Sequence, residues 1–227
     1  MPLPAPIVAG QVVRARQTLG PAQSDWSAPA TALDHMKEFP AGPPCPVINP
    51  APIHEYGIRT GVGNLLAGGN VWITADGIEV GMAEGCNPQQ GVNVAPAYSL
   101  NQRVRAWFDL CSDPSPPSAE EMTQKPASPL PAPGCDPIVE GGEQLGINNI
   151  VNGAEVTLLG NGLNQGTWGC WGGRLTVGLN PPFSASDVFR ATHEMCPGDP
   201  ESPPCPEPAR LRPAQASAGL QQQEEPE

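Results

Sequence analysis

Residues 97–111, AYSLNQRVRAWFDLC, recur in altered form as PFSASDVFRATHEMC at residues 182–196 and as PIVAGQVVRARQTLG at residues 6–20. Each copy has an apolar residue, a turn of small residues, Gln or Asp, and then an alternating strand that carries Arg-Ala. The repeated arginines are Arg14, Arg105 and Arg190. Their separation is typical of one small β-sandwich module. The chain is therefore predicted to be built from modules of this kind.

Other signals keep the same order in two of these modules. Residues 71–75 alternate as a strand and lead into Asp76-Gly77, a strong signal for a two-residue hairpin. Asn161-Gly162 takes the same place after residues 156–159. The offset between the two modules stays at 84–85 residues, which indicates a duplication.

These repeats predict an all-β chain of tandem antiparallel sandwiches with Pro-rich linkers. The expected organisation is a partial module at 1–33, a linker at 34–44, a first module at 45–122, a Pro-rich linker at 123–134, a second module at 135–211 and a disordered acidic tail at 212–227. Residues 1–33 hold only the last strands of a module. Because a lone two-stranded hairpin is marginal in water, this segment is expected to need a missing half, the next module or another chain.

Composition excludes several classes of function. The net charge of −12 leaves no basic stripe for nucleic acid or for an anionic membrane surface. No apolar run reaches the length of a membrane span. The 31 prolines and 26 glycines make up about a quarter of the 227 residues, and many of the prolines lie between modules. This composition favours folded modules joined by stiff, extended linkers.

The seven cysteines contain no Cys-x-x-Cys spacing, which argues against zinc. Repeat equivalence pairs Cys86 with Cys170 and Cys111 with Cys196, and predicts the disulfides Cys86–Cys111 and Cys170–Cys196. A third disulfide, Cys135–Cys205, could close the second module, which leaves Cys45 without a predicted disulfide partner. Disulfides imply an oxidising compartment, and reduced, buried cysteines are the alternative.

The order Gly-x-x-Val-x-Ile/Leu, Asp/Asn-Gly, x-x-Gly and then the Arg-Ala strand resembles the tandem bacterial Ig-like (Big-type) repeats of extracellular surface and adhesin proteins. The resemblance covers most of residues 45–122 and 135–211, and only the second half of a repeat in residues 3–33. It implies tandem Ig-like sandwiches and an extracellular or cell-surface location. The cysteines, the Pro-rich linkers and the incomplete first unit depart from the usual repeat.

Two tryptophans are the candidate binding residues. Strand parity places Trp72 and Trp107 on outward positions, since the second module has Thr157 and Thr192 at the equivalent places. An exposed tryptophan could stack on a sugar or anchor a protein. Whether the two strands share a sheet is left open. Trp168 and Trp171 flank Cys170 and are expected to pack on its disulfide.

No arrangement of residues indicates catalysis, and no metal or other cofactor is expected. His193-Glu194 begins like a zinc-protease motif, but the second histidine is absent and a proline stands in its place. The histidines are expected in surface or linker positions. The repeated arginines are expected in structural ion pairs or in packing across the sheet.

The sequence predicts a non-catalytic extracellular structural or adhesive repeat protein, such as a surface or fibre subunit. Its partners would be proteins or further copies, joined by strand sharing through the incomplete first module. A carbohydrate-binding module that uses Trp72 or Trp107 is the alternative, with glycans as partners. A third hypothesis is an accessory region of a larger secreted enzyme.

Overall fold

A computed structural model describes residues 7–19, 21–184, 186–196, 201–206 and 210–211. Twenty short strands and one helical turn make up its regular structure, and this confirms the all-β class. The strands are β1 (Val12–Val13), β2 (Thr18–Leu19), β3 (Ala22–Gln23), β4 (Ala30–Thr31), β5 (Val47–Ile48), β6 (Arg59–Gly63), β7 (Asn70–Ala75), β8 (Ile78–Ala83), β9 (Gln89–Asn93), β10 (Arg103–Leu110), β11 (Asp113–Pro114), β12 (Glu121–Met122), β13 (Gly134–Cys135), β14 (Ile138–Val139), β15 (Gln144–Asn148), β16 (Glu155–Gly160), β17 (Leu163–Gly169), β18 (Arg174–Gly178), β19 (Phe189–Glu194) and β20 (Arg210–Leu211). The helix α1 spans His35–Glu38 and begins at Asp34, whose carboxylate accepts the amide hydrogen of Met36. Within the described part of the chain, no helix is long and apolar enough to cross a bilayer.

The first module is a sandwich of two antiparallel sheets. One sheet has the order β5-β6-β9, and the other has the order β11-β10-β7-β8, with β12 also paired to β10. Alternate residues of β7 and β10 point inward, as strand geometry requires. Their buried side chains pack with those of the other sheet into one core. The core consists of Ile48, Ile53, Val62, Leu65, Val71, Ile73, Ala75, Cys86, Val92, Val94, Tyr98, Val104, Ala106 and Phe108.

The second module repeats this arrangement with its own core. Its sheets have the orders β13-β15-β18 and β17-β16-β19, and β14 and β20 add a short parallel pair. The sandwich encloses a separate cluster of buried side chains that includes Ile147, Val156 and Leu158. Thr157 lies opposite Thr192 in β16 and β19, as Trp72 lies opposite Trp107 in β7 and β10. The strand registers of the two modules therefore match.

Both predicted hairpin turns are present. Asp76 and Gly77 have φ of 50° and 81°, and Asn161 and Gly162 have φ of 52° and 78°. Positive φ at both central residues is the signature of a type I′ turn, which matches the right-handed twist of the flanking strands.

The last long strand of each module is followed by an extended segment that uses serine or cysteine side chains as acceptors. The amides of Ser115 and Ser118 donate to the carbonyls of Phe108 and Ala106, and both hydroxyls accept the amide hydrogens of the same two residues. Ser202 and Cys205 make the same exchange with His193 and Ala191. In the first module two prolines stand between the serines. Since proline has no amide hydrogen, these side chains keep the segment attached to its neighbouring strand.

The amino-terminal segment repeats this pattern. Ser24 and Ser27 donate their amides to the carbonyls of Gln17 and Ala15 and accept both amide hydrogens in return. With β1 paired to β4 and β2 paired to β3, residues 10–19 and 21–32 form one hairpin. This hairpin is the structural equivalent of β10 and the segment after it. No third strand joins it within the described residues.

Cysteine pairing differs in part from the prediction. Cys135 and Cys205 form a disulfide that joins β13, the first strand of the second module, to the extended segment at 201–206 that follows β19. Its sequence separation of 70 residues corresponds to about 4 kcal/mol on the loop-entropy estimate. The predicted disulfides Cys86–Cys111 and Cys170–Cys196 are not formed, because Cys86, Cys111 and Cys170 carry free thiols. Cys86 lies in the core of the first module, whereas Cys111 is exposed in the turn after β10.

The burial of Cys170 explains the failure of the second predicted disulfide. Cys170 is only 1% exposed, and its amide and carbonyl bond to Ala154 and Gly153 as those of Cys86 bond to Gly69 and Gly68. The two cysteines are therefore equivalent because they occupy the same buried position in their modules, and not because they share a pattern of disulfide bonding. Burial raises the pKa of the Cys170 thiol to about 11, which keeps it protonated and unreactive. Cys45 donates its thiol hydrogen to the carbonyl of Pro117, 3.0 Å away.

The two modules are joined by direct contacts. Asn152 donates its side-chain amide to the carbonyls of Pro50 and Pro52 at 2.8 and 3.2 Å. Arg59 donates to the carbonyl of Gly169 at 3.0 Å. The segment predicted as a linker at 123–134 is packed at both ends. The Gln124 amide donates to the Ile53 carbonyl, and Leu130 joins the second core.

Trp171 is the largest side chain at this junction. It does not pack on a disulfide. Its indole lies in a slot on the β5-β6-β9 sheet of the first module, where Gly61 and Gly91 leave the room that it occupies, and a Cβ on either glycine would collide with the ring. This contact fixes the second module against the first.

We expect Trp171→Ala to loosen the junction without unfolding either module, because Trp171 belongs to neither core. Small-angle X-ray scattering should show a larger radius of gyration, with thermal unfolding of the modules little changed. Gly91→Val, which fills the slot from the other side, should give the same result. Trp107→Thr removes an indole away from the junction and serves as the control. An unchanged scattering profile for both junction variants would contradict this role.

Candidate functional site

Trp72 and Trp107 lie side by side on the outer face of the first module. Their strands, β7 and β10, are neighbours in one sheet, and the two residues are directly opposite each other in the ladder. Met82 of β8 lies opposite Trp72 on its other side. Trp107 and Met82 are 42% and 45% exposed, and Trp72 is half-buried. We call the row Met82, Trp72 and Trp107 the apolar row.

Polar side chains border the apolar row on one side. Arg105 donates to Glu120 at 3.2 Å, and the Arg103 Nε lies 3.7 Å from the same carboxylate. The hydroxyl of Thr74 is 3.5 Å from the Arg105 carbonyl. Exposed ion pairs of this kind add at most about 1 kcal/mol to stability. The side chains in these ion pairs have further hydrogen-bond donors and acceptors that a ligand can reach.

The opposite border is also polar. The side-chain amide of Asn70 donates to the carboxylate of Asp109 at 3.3 Å, two residue pairs further along the same ladder and on the same face of the sheet. Hydrogen-bonding groups therefore flank the exposed indoles on both sides.

A shallow groove lies beside Trp107. Its volume is about 560 Å³, and it is lined by Thr74, Asp76, Gly77, Arg103, Arg105, Trp107 and Glu120. One wall is aromatic, and the others carry two arginines and two carboxylates. Sites with this mixture of apolar surface and a few polar groups are typical of small-ligand recognition.

The second module has no such row at the equivalent place. Thr157 lies opposite Thr192, and its hydroxyl is 3.3 Å from that of Thr167. The same sheet therefore forms with two threonines in place of the two tryptophans.

The amino-terminal hairpin exposes positions that are buried in the modules. Ala15 and Gln17 are exposed and Val13 is half-buried, whereas their counterparts in the first module are Val104, Ala106 and Phe108, each at most 1% exposed. Val8, Val12 and Trp26 are 65%, 59% and 55% exposed. The guanidinium of Arg16 lies 4.8 Å from the centre of the Trp26 ring, a cation–π contact.

His193 is buried, which corrects the expectation of surface histidines. It takes the core position of Phe108, is 1% exposed, and neither ring nitrogen has a hydrogen-bond partner. Burial lowers the pKa of His193 because the charged ring would lose its hydration. His54 lies at the module junction, 3.3 Å from the carbonyl of Asn152. Among the described residues, no three or more His, Cys, Asp or Glu side chains group as a metal site.

The sequence matches no protein-family model and no curated protein. Several solved structures are similar to it. A biofilm-associated protein BSP domain aligns at a TM-score of 0.34 and 17% identity, over 74% of this chain and 29% of that one. The chicken CNTN1 FN1–FN3 domains align at 0.26 and 13%, over 75% and 65%. The fibronectin(III)-like modules of Clostridium thermocellum CbhA align at 0.24 and 12%, over 73% and 94%. The chain thus spans less than a third of the biofilm-associated structure.

We expect His193→Phe to stabilise the second module at acidic pH. The folded state keeps His193 neutral, whereas the unfolded chain takes up a proton below the ordinary pKa of 6.5. Stability is therefore full above pH 6.5 and falls as the pH is lowered. The gain in melting temperature of His193→Phe over the parent should be larger at pH 5 than at pH 8.

The reciprocal variant Phe108→His provides the control. It should transfer the same loss of stability at low pH to the first module. If His193→Phe and the parent differed in melting temperature by the same amount at pH 5 and at pH 8, this would contradict the conclusion that the folded state keeps His193 neutral.

Proposed function

We propose that the protein is a non-catalytic extracellular structural or adhesive protein that assembles through its amino-terminal hairpin. The observation that carries the proposal is the exposure of Ala15 and Gln17, whose counterparts are core residues in the first module. A face built for packing loses the free energy of apolar burial when it stays in water. A partner that covers this face recovers that free energy.

The partner is a second copy of this chain. The hairpin carries Arg14 and Arg16 against Asp25 alone, whereas the whole chain carries a net charge of −12. Contact between the hairpin of one copy and the acidic body of the next is therefore electrostatically favourable. A hairpin packed against a different surface of the next copy makes a head-to-tail contact, which extends into a filament unless it closes into a ring.

The receiving edge is β17 of the second module. This strand is seven residues long, pairs only with β16 in the described structure and has no proline or charged residue. Natural sheet edges are commonly protected by such residues. Leu163 at its start is 70% exposed. This edge has no proline or charge, although it carries a bulge at Gln165, and it and the uncovered hairpin are complementary surfaces for strand addition.

The Cys135–Cys205 disulfide supports an extracellular location. Structural disulfides persist in oxidising compartments and are rare in the cytosol. This one joins β13 of the second module to the segment that follows β19, so reduction would weaken the module that carries the receiving edge.

The test is the mass of the full-length chain in solution, measured by light scattering after size-exclusion chromatography over a range of concentrations. Oligomers that grow with concentration are expected for the parent. Ala15→Asp should leave a monomer, because it places a charge on the inward face of the hairpin. Leu163→Lys/Thr167→Lys should do the same by charging the β17 edge.

Thr18→Asp is the matched control, since it adds the same charge at an exposed position on the opposite face of the same strand and should still assemble. A parent that is monomeric at every concentration would overturn the proposal. Assembly that survives Ala15→Asp would do so as well.

A further inference from the structure

The apolar row crosses three neighbouring strands, β8, β7 and β10. Because strands lie about 4.8 Å apart, its three side chains extend over roughly 10 Å of surface. We propose that this row is a binding site for an uncharged, linear, β-linked glycan of pyranose units with equatorial hydroxyls. The glycan lies across the strands with its sugar rings stacked on Trp72 and Trp107. This site is separate from the hairpin and does not depend on assembly.

The chemistry of such a sugar matches the arrangement of the row. An all-equatorial pyranose has two flat faces of C–H groups and a rim of hydroxyls. The C–H face packs on the electron-rich face of an indole, and the rim needs hydrogen-bond partners at the sides. Asp109 and Asn70 border one side of the row, and Arg105 and Glu120 border the other. The apolar surface in the centre thus matches the C–H face of the sugar, and the polar groups on both edges match its rim of hydroxyls.

The β-linkage follows from the straight alignment of the row at matching ladder positions of three neighbouring strands. A chain of equatorially β-1,4-linked sugars is a ribbon that presents its faces along its whole length, whereas an α-linked chain curves away from a plane. The row is formed by side chains of one sheet at matching positions of the ladder. An extended ribbon therefore contacts both indoles at once.

Charge selects against anionic glycans. Near the row, the carboxylates of Asp76, Glu79, Asp109 and Glu120 outnumber the guanidiniums of Arg103 and Arg105. The chain as a whole has a net charge of −12. A uronic acid or sulfated polymer is repelled by this surface, and a neutral one is not.

The tryptophans are not needed to build the sheet. The second module forms the same ladder with Thr157 and Thr192 at the two positions. A cross-strand aromatic pair adds at most about 1 kcal/mol to a sheet, and the second module forms without one, so the exposed row in the first module is explained by what it binds. The groove beside Trp107 accommodates a substituent of the sugar ring.

The experiment titrates the full-length chain with the β-1,4-linked hexasaccharides of glucose and of N-acetylglucosamine, followed by tryptophan fluorescence and isothermal calorimetry. Saturable binding of at least one of them is expected. The α-1,4-linked glucose hexasaccharide and polygalacturonate should bind at least tenfold more weakly. Trp72→Thr/Trp107→Thr, which copies the outer face of the second module, should raise Kd at least tenfold and leave thermal unfolding nearly unchanged.

Two further variants separate this site from the hairpin and from general surface binding. Ala15→Asp should bind the glycan as the parent does, so a failure of assembly is distinguishable from a failure of the glycan site. Arg105→Gln should weaken binding less than the loss of the indoles. Absence of saturable binding by either β-linked probe would overturn the proposal, as would equal binding by the Trp72→Thr/Trp107→Thr variant or a preference for polygalacturonate.

Discussion

The antiparallel ladder between β7 and β10 is the feature on which the rest of the first module depends. Its alternation sends Val71, Ile73, Ala106 and Phe108 into the core and leaves Trp72 and Trp107 outside. One register thus determines both the buried face and the outer face that carries the two indoles. A slip by one residue would expose the core and bury both indoles.

The same physical requirement explains the amino-terminal hairpin. In the modules, the equivalent hairpin is held by side-chain acceptors on the segment after its long strand and covered by the opposite sheet. Ser24 and Ser27 preserve the acceptors, and no described residue supplies the opposite sheet. Hydrogen bonds within a hairpin give little net stability without burial of apolar surface. Within the described residues, the inward face of the hairpin is therefore left uncovered.

Local patterns in the sequence predicted the elements well. Asp76-Gly77 and Asn161-Gly162 form the expected turns, because a type I′ turn depends on two adjacent residues and little else. The outward orientation of Trp72 and Trp107 follows from strand parity, which is also local. Side-chain pairing between distant residues was predicted less well. Cys86 and Cys170 occupy equivalent buried positions without forming the expected disulfides, since repeat equivalence specifies a place in the core and not a bonding partner.

The sequence by itself determined the all-β class, the duplication and the faces of the strands that carry Trp72 and Trp107, because hydrophobic alternation and turn residues act over a few neighbours in the chain. Only the tertiary structure decided which strands are adjacent. That adjacency brings Trp72 beside Trp107, buries His193 where Phe108 lies in the other module, and places Trp171 of one module against Gly91 of the other. Strand order and module docking arise from long-range packing of whole faces, and no short stretch of sequence contains that information.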